Sequence, residues 1–191
     1  LPGNFYHPHP AFKGNLREVV AQDFVTQFKR IAFNPTNSVG KNFFRNKILG
    51  FEEFSEKVGE NLTLMFKTPL AGVEALDKYS LQIKLKNPLV HFTHYLSLPF
   101  IVPIPEEVVA FENNNLDQVM VGTGPFQYKG FDNNTYVFLK SLLYRQELYP
   151  AVGDRYSHNN ELLAYANKKL PLVDEIRLKV YSNEEEVLRA F

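Results

Sequence analysis

The chain has 191 residues, enough for one large domain or two small ones. Its 21 basic and 21 acidic residues balance, so it lacks the concentrated positive charge that favours binding to nucleic acid or to an anionic membrane. Cysteine is absent, which excludes disulfides, thiolate zinc sites and cysteine nucleophiles. A hydrophobic content of 45% is sufficient for a packed core, and no apolar run has the length of a membrane span.

Helices are predicted in the first third of the chain. Residues 21–32 predict a helix that Asn34-Pro35 ends. Residues 42–57 predict a second helix, with Gly59 just past its end. Each helix has one apolar stripe, formed in the first by Phe24, Phe28 and Ile31 and in the second by Phe44, Ile48 and Phe51.

Residues 72–85 predict a β-hairpin whose turn is Asp77-Lys78. Three apolar residues alternate with polar ones in its second arm and are expected to face the core: Leu81, Ile83 and Leu85. Further along, residues 91–97 predict a short helix and residues 100–102 a buried apolar stretch. Pro105 suits the first turn of a helix that runs to about residue 113.

The last third of the chain predicts strands at residues 126–129 and 135–141, joined by a turn at 132–134. A helix at 161–169 and a strand at 175–181 follow. The last strand is expected to turn three residues inward: Ile176, Leu178 and Val180. Asn183 is a plausible N-cap of a final helix that still continues at Phe191, with Val187 and Leu188 on its apolar face. We therefore expect the chain to be part of a longer one.

These elements mix without a regular βαβ rhythm, which predicts a mixed α/β (α+β) fold. No internal repeat is visible. The break between two subdomains is expected between residues 113 and 122, where turn-forming residues separate the helical from the strand-rich part.

Four segments, in this order and spacing, resemble the family 5 bacterial extracellular solute-binding proteins. The first, residues 17–25, is similar to the Arg-x-Val-Thr-Ala-x-Asp-Val helix start of that family, and residues 72–81 to its Gly-Val-x-Ala-x-Asp hairpin. Residues 121–126 resemble its Gly-Thr-Gly-Pro-Tyr signature, and residues 170–176 resemble a later strand entry. Together they cover most of the chain.

The chain departs from the family pattern at three places. Val20 replaces the Thr that would cap the first helix, so Asn15 or Asp23 would have to compensate. Leu142-Leu143-Tyr144-Arg145 stands where an Asn-Pro-x-Tyr-Trp segment is usual, and an insertion at residues 149–169 follows. These differences leave the subgroup, and with it the ligand, open.

The resemblance implies a two-lobed fold of periplasmic-binding-protein type II, of which this chain is a part. Residues 1–120 would form the small helix-hairpin subdomain of the first half. Residues 121–191 would form part of the first-lobe sheet, after a crossing made by Gly122, Thr123, Gly124 and Pro125. Glycines at the crossing are expected to permit unusual backbone angles, and hinge-like motion is the alternative role of this segment.

For ligand contact, the resemblance implies Thr26 on the first helix and the loop of Leu98 and Phe100. Thr26 would supply a hydrogen bond, and Leu98 and Phe100 an apolar wall. The alternative for Phe100 is an ordinary place in the core.

No catalytic, cofactor or metal site is predicted. His7 and His9, or His91 and His94, could each share a metal, but zinc needs three or four ligands and no third one has a recognised spacing. Surface or partly buried histidines are therefore expected. A nucleophile elbow is absent, and Glu52-Glu53 and Glu106-Glu107 diverge on a helix because they are adjacent in sequence.

The resemblance implies the periplasmic or extracytoplasmic substrate-binding component of a peptide ABC importer, which captures peptide by cleft closure. Its partners would be the peptide and an ABC permease in the inner membrane, and it would be lipid-anchored in a Gram-positive source. Three alternatives stay open: the same fold with a nickel complex, haem or an opine as ligand, a metal-assisted hydrolase built on His91 and His94, and a structural or signalling module.

Overall fold

The structure, a computed structural model, describes residues 2–117, 119–156 and 161–190. It divides into two compact units. Unit 1 comprises Leu1–Gly3 and Pro8–Val119, and unit 2 comprises Asn4–His7 and Met120–Phe191. Helices and strands occur together, which confirms the mixed fold class. The assignment of residues 1–120 and 121–191 to parts of a family lobe stays a prediction.

Helix α1, Ala21–Ala32, has the predicted bounds. It begins without a side-chain cap from Val20, and the Asp23 carboxylate compensates by accepting a hydrogen bond from the Val20 N–H at 2.9 Å. The hairpin turn helps as well, since the Ala21 N–H donates to the Lys78 carbonyl. Phe28 and Ile31 are fully buried, so α1 is the central helix of unit 1.

The single helix predicted for residues 42–57 is wrong. The structure has α2, Gly40–Phe44, and α3, Phe51–Val58, and residues 45–50 between them form turns. In that segment Ile48 is fully buried and forms a β-bridge with Leu85. Pairing with the hairpin therefore prevails over the helical spacing of the apolar residues.

A further helix, α4 at Leu62–Lys67, was missed by the sequence analysis. Asn61 caps it, because its side-chain oxygen accepts a hydrogen bond from the Leu64 N–H at 3.0 Å. Two short helices follow the hairpin, α5 at Phe92–Tyr95 and α6 at Glu106–Phe111, both within their predicted ranges.

The hairpin itself is confirmed. Strands β1, Val73–Ala75, and β2, Leu81–Ile83, pair antiparallel with Val73 opposite Ile83 and Ala75 opposite Leu81. The predicted inward residues Leu81, Ile83 and Leu85 are partly buried and pack against the core cluster.

Replacing Ile83 by Lys should lower the free energy of unfolding by more than about 2 kcal/mol, since apolar burial is lost and a charge is placed against the core. Gln82→Lys is the matched control, because Gln82 lies on the other face opposite Glu74 and should change stability by less than about 0.5 kcal/mol. Urea unfolding followed by circular dichroism measures both. Equal effects from the two variants would contradict the register.

The core of unit 1 contains a cluster of contacting aromatic rings among its aliphatic residues. Phe44 is fully buried, and its ring centroid lies 5.3 Å from that of Phe28, 6.4 Å from Phe92 and 6.2 Å from Phe100. Edge contacts of this kind add to the stabilisation from burial. The apolar stretch predicted to be buried at 100–102 is only partly so: Ile101 is buried, whereas Val102 is 48% exposed.

Unit 2 contains an antiparallel sheet of order β3-β4-β5. Its strands are Phe126–Asp132, Thr135–Lys140 and Glu175–Lys179, and Asn133 and Asn134 form the first turn with positive φ. The strands are confirmed. The face of β5 that was predicted to point inward is only partly covered by the described residues. Ile176 is half-buried, whereas Leu178 and Val180 are 54% and 47% exposed.

The helix predicted at 161–169 is wrong for the part that the structure describes. Residues 161–167 form turns, and Lys169 forms a β-bridge with Leu148. The Tyr149 N–H also donates to the Lys168 carbonyl, and Asn167 has a φ of 63°. Local strand pairing thus replaces the helix.

The last helix is α7, Glu184–Ala190. Asn183 caps it as predicted, accepting a hydrogen bond from the Glu186 N–H at 3.0 Å. Val187 and Leu188 are exposed, and Phe191 lies outside the described residues. Across the described ranges, every helix is too short or too polar to traverse a lipid bilayer.

Candidate functional site

The three residues predicted to contact ligand belong to unit 1. Thr26 is 1% exposed, and its hydroxyl donates to the Gln22 carbonyl one turn earlier in α1, at 3.1 Å. Leu98 and Phe100 are partly buried and pack against the core cluster. Their contact with a ligand stays a prediction.

Gln27 joins α1 to the loop that carries Leu98 and Phe100. Its side-chain Nε2 donates to the Phe100 carbonyl at 2.7 Å, and the residue is buried. The Phe100 ring also fits against Gly40, where an added Cβ would come within 2.8 Å of it. The loop is therefore held in place by neighbours on α1 and α2. Sequence reasoning missed Gln27, because nothing local in the sequence marks a contact over 73 residues.

The predicted crossing segment, Gly122, Thr123, Gly124 and Pro125, lies in unit 2. His7 binds it at two points: its backbone N–H donates to the Gly122 carbonyl at 2.7 Å, and its ring Nε2 hydrogen-bonds the Gly124 carbonyl at 2.9 Å. Ser141 adds a third bond, from its N–H to the Pro125 carbonyl. Three carbonyl groups of the segment thus have partners within unit 2.

His7 is therefore a structural residue that the sequence analysis had placed among surface or partly buried histidines. It is 6% exposed, and the partner of its Nε2 is a carbonyl, so this nitrogen carries the proton. No short-range pattern indicated this role, since the two residues are 117 positions apart.

The expectation that the glycines of the crossing permit unusual backbone angles is wrong. Neither Gly122 nor Gly124 has a left-handed φ. A Cβ built on Gly124 meets nothing within 4 Å, and one on Gly122 meets only the His7 ring, at 3.9 Å. Backbone strain and close approach therefore do not explain these two glycines.

A partly buried ion-pair network stabilises the start of α1 in unit 1. Two nitrogens of Arg17 donate to the Asp23 carboxylate at 2.6 and 3.2 Å, and its Nε donates to Glu107 at 2.6 Å. Burial acts to lower the pKa of Arg17, but its hydrogen bonds to Glu107 and Asp23 outweigh this and raise it. Burial likewise acts to raise the pKa of Glu107, and the hydrogen bond from Arg17 reverses the direction. The first family-like segment, residues 17–25, thus contains two residues, Arg17 and Asp23, that bind each other.

The second pair of histidines lies at the surface of unit 1. His91 and His94 stack with ring centroids 5.6 Å apart, and both are exposed. Over residues 2–117, 119–156 and 161–190, no three His, Asp or Glu side chains come together as metal ligands would. The hydrolase hypothesis therefore gains no support from the described chain.

A search of the curated proteins found no match. Solved structures do resemble the chain. OppA from Listeria monocytogenes bound to peptide is 19% identical with a TM-score of 0.62, over 92% of this chain and 30% of its own. OppA from Haemophilus influenzae in complex with RPPGFSPFR is 17% identical with a TM-score of 0.62, over 100% of this chain and 33% of its own. AgaA from A. tumefaciens R10, in complex with agropinic acid, is 18% identical with a TM-score of 0.59, over 97% and 31%.

These likenesses confirm a fold of periplasmic-binding-protein type. The chain spans about a third of the length of these solved structures. The sequence gives the family independently. The family described as bacterial extracellular solute-binding proteins, family 5 Middle, matches residues 14–191. The chain therefore belongs to the family 5 bacterial extracellular solute-binding proteins.

Proposed function

We propose that this chain is part of the substrate-binding component of a peptide ABC importer and that it helps to capture peptide by cleft closure. The observation that carries the proposal is the family match over residues 14–191. Among the similar solved structures, the OppA proteins from L. monocytogenes and H. influenzae were solved with peptides. Family and structural relatives alike are binding proteins of transporters rather than enzymes.

Within this proposal, the crossing at Gly122 to Pro125 is the segment about which unit 2 adjusts during closure. Its carbonyl bonds to His7 and Ser141 would keep it in one conformation and would have to persist or re-form as the lobes move. Leu98 and Phe100 would form apolar wall. Thr26 would have to exchange its bond to Gln22 for one to the ligand.

A non-peptide ligand is the second candidate. AgaA, which is as similar to this chain as the peptide-binding proteins are, was solved with agropinic acid. The same fold thus accommodates a small organic acid in a relative, and the residues Thr26, Leu98 and Phe100 carry no charge that would select a peptide terminus.

The proposed partner is an ABC permease in the membrane, which receives the ligand from the closed protein. The proposed location is the periplasm or the outer face of the cell membrane, with a lipid anchor in a Gram-positive source. The family name places its members outside the cytoplasm.

Mass spectrometry of the small molecules that co-purify with the protein from its own cells tests the ligand class. We expect a mixture of short peptides, released when the protein is denatured and absent from a parallel sample refolded from urea. A single non-peptide compound, present in stoichiometric amount, would overturn the peptide proposal and favour the second candidate.

A further inference from the structure

Unit 1 has a surface cavity of about 210 Å³ between α2 and α3. One wall comes from α2 and its end, with Lys41, Arg45 and Asn46, and the other from α3, with Glu52, Ser55 and Glu56. Its lining does not include Thr26, Leu98 or Phe100.

Two cations of the cavity, Lys41 and Arg45, have no anionic partner in the part of the chain that the structure describes. The Lys41 ammonium donates to the neutral oxygens Asn34 Oδ1 and Ser55 Oγ, the latter at 2.8 Å. Arg45 follows one turn later, and its backbone N–H donates to the Lys41 carbonyl. Its guanidinium is exposed and makes no ion pair or hydrogen bond to the described residues. Burial and the positive charge of Arg45 both lower the pKa of Lys41.

The two carboxylates of the cavity differ in their pairing. Glu52 is neutralised by Lys86 at 2.9 Å and also accepts the Asn46 N–H at 2.6 Å. Glu56, one turn further along α3, has no ion pair among the described residues.

We propose that this cavity binds a small oxyanion, a carboxylate or phosphate group, between Lys41 and Arg45. Arg presents a planar fork of N–H donors that matches such a group, and Lys41 has one N–H left beyond its bonds to Asn34 and Ser55. A bound anion also relieves the repulsion between the two cations and the cost of burying one of them.

The test is a thermal-unfolding titration with inorganic phosphate and, in a second arm, with acetate, at constant ionic strength maintained with sodium chloride. We expect a saturable rise in melting temperature in at least one arm, and the arm that responds at lower concentration identifies the anion. Arg45→Gln should weaken the binding about tenfold, since it removes charge-assisted hydrogen bonds. This variant avoids a folding defect, because the Arg45 side chain has no described partner to lose.

Two variants complete the design. Glu56→Gln should tighten binding, because it removes the unpaired negative charge from the wall. Lys57→Met, which removes an exposed charge from α3 but does not line the cavity, should leave the affinity unchanged. The absence of saturation in both arms, or equal losses in Arg45→Gln and Lys57→Met, would overturn the proposal.

Discussion

Replacing Gly72 by Ala should destabilise unit 1 by about 3 kcal/mol, because an added Cβ has no space at this position. It would lie 2.4 Å from the Leu49 carbonyl oxygen and 2.8 Å from the Leu49 nitrogen. Both are backbone atoms, so no side-chain rotation relieves the contact. The segment cannot simply withdraw, since the Leu49 N–H donates to the Lys84 carbonyl and the Lys84 N–H donates to that of Gly72.

Amide hydrogen exchange measures this effect at the site. The amides of Leu49 and Lys84 should lose protection in Gly72→Ala, together with a lower midpoint of urea unfolding. Gly130→Ala is the matched control: Gly130 has no left-handed φ and no atom within 4 Å of a built Cβ. Its stability should change by less than about 0.5 kcal/mol. Normal protection at Leu49 in Gly72→Ala would contradict the close approach of the two segments.

The close approach at Gly72 also gives a physical meaning to the second family-like segment. The sequence predicted the hairpin from alternation and its turn residues, which are local signals. It could not predict that residues 47–49 pair beside the hairpin. Phe44, Ile48 and Phe51 are four and three residues apart, which is also the spacing of an apolar stripe on a helix. A short apolar run carries no information about which partner covers it.

The candidate site was predictable only through the family resemblance. Composition and spacing do not single out Thr26, Leu98 or Phe100, and the contacts that hold their surroundings, such as Gln27 with the Phe100 carbonyl, connect distant parts of the chain. His7 illustrates the same limit, since its role depends on carbonyl groups of the crossing. The helix α1, by contrast, was predicted with its bounds because its apolar spacing and its Asn34-Pro35 end are both local.

The cap of α1 was only partly predictable from the local sequence. From the sequence, Asn15 and Asp23 were equal candidates to replace the missing Thr at position 20. The structure selects Asp23, since a carboxylate three residues after the N-cap reaches back to the Val20 N–H. Arg17 strengthens this choice by binding the same carboxylate.

Asp23→Ala should therefore lower the stability of unit 1 by about 3 kcal/mol. Asp23 is 1% exposed, and its loss would leave the Val20 N–H without its acceptor and Arg17 with Glu107 as its remaining carboxylate partner among the contacts described above. Asp23→Asn retains an acceptor for the cap, so its loss of stability should be smaller, about 1 kcal/mol. Glu107→Gln should cost less than about 1 kcal/mol, because the Glu107 side chain is 41% exposed.

A double-mutant cycle with Arg17→Met separates the ion pair from the cap. If the two residues act together, the double variant should be more stable than the sum of the single losses by at least about 1 kcal/mol, since no buried charge is then left partly unpaired. Urea unfolding of the four proteins gives this coupling energy. Additive losses would show that Asp23 acts through the helix cap alone, and that Arg17 is held in place by Glu107.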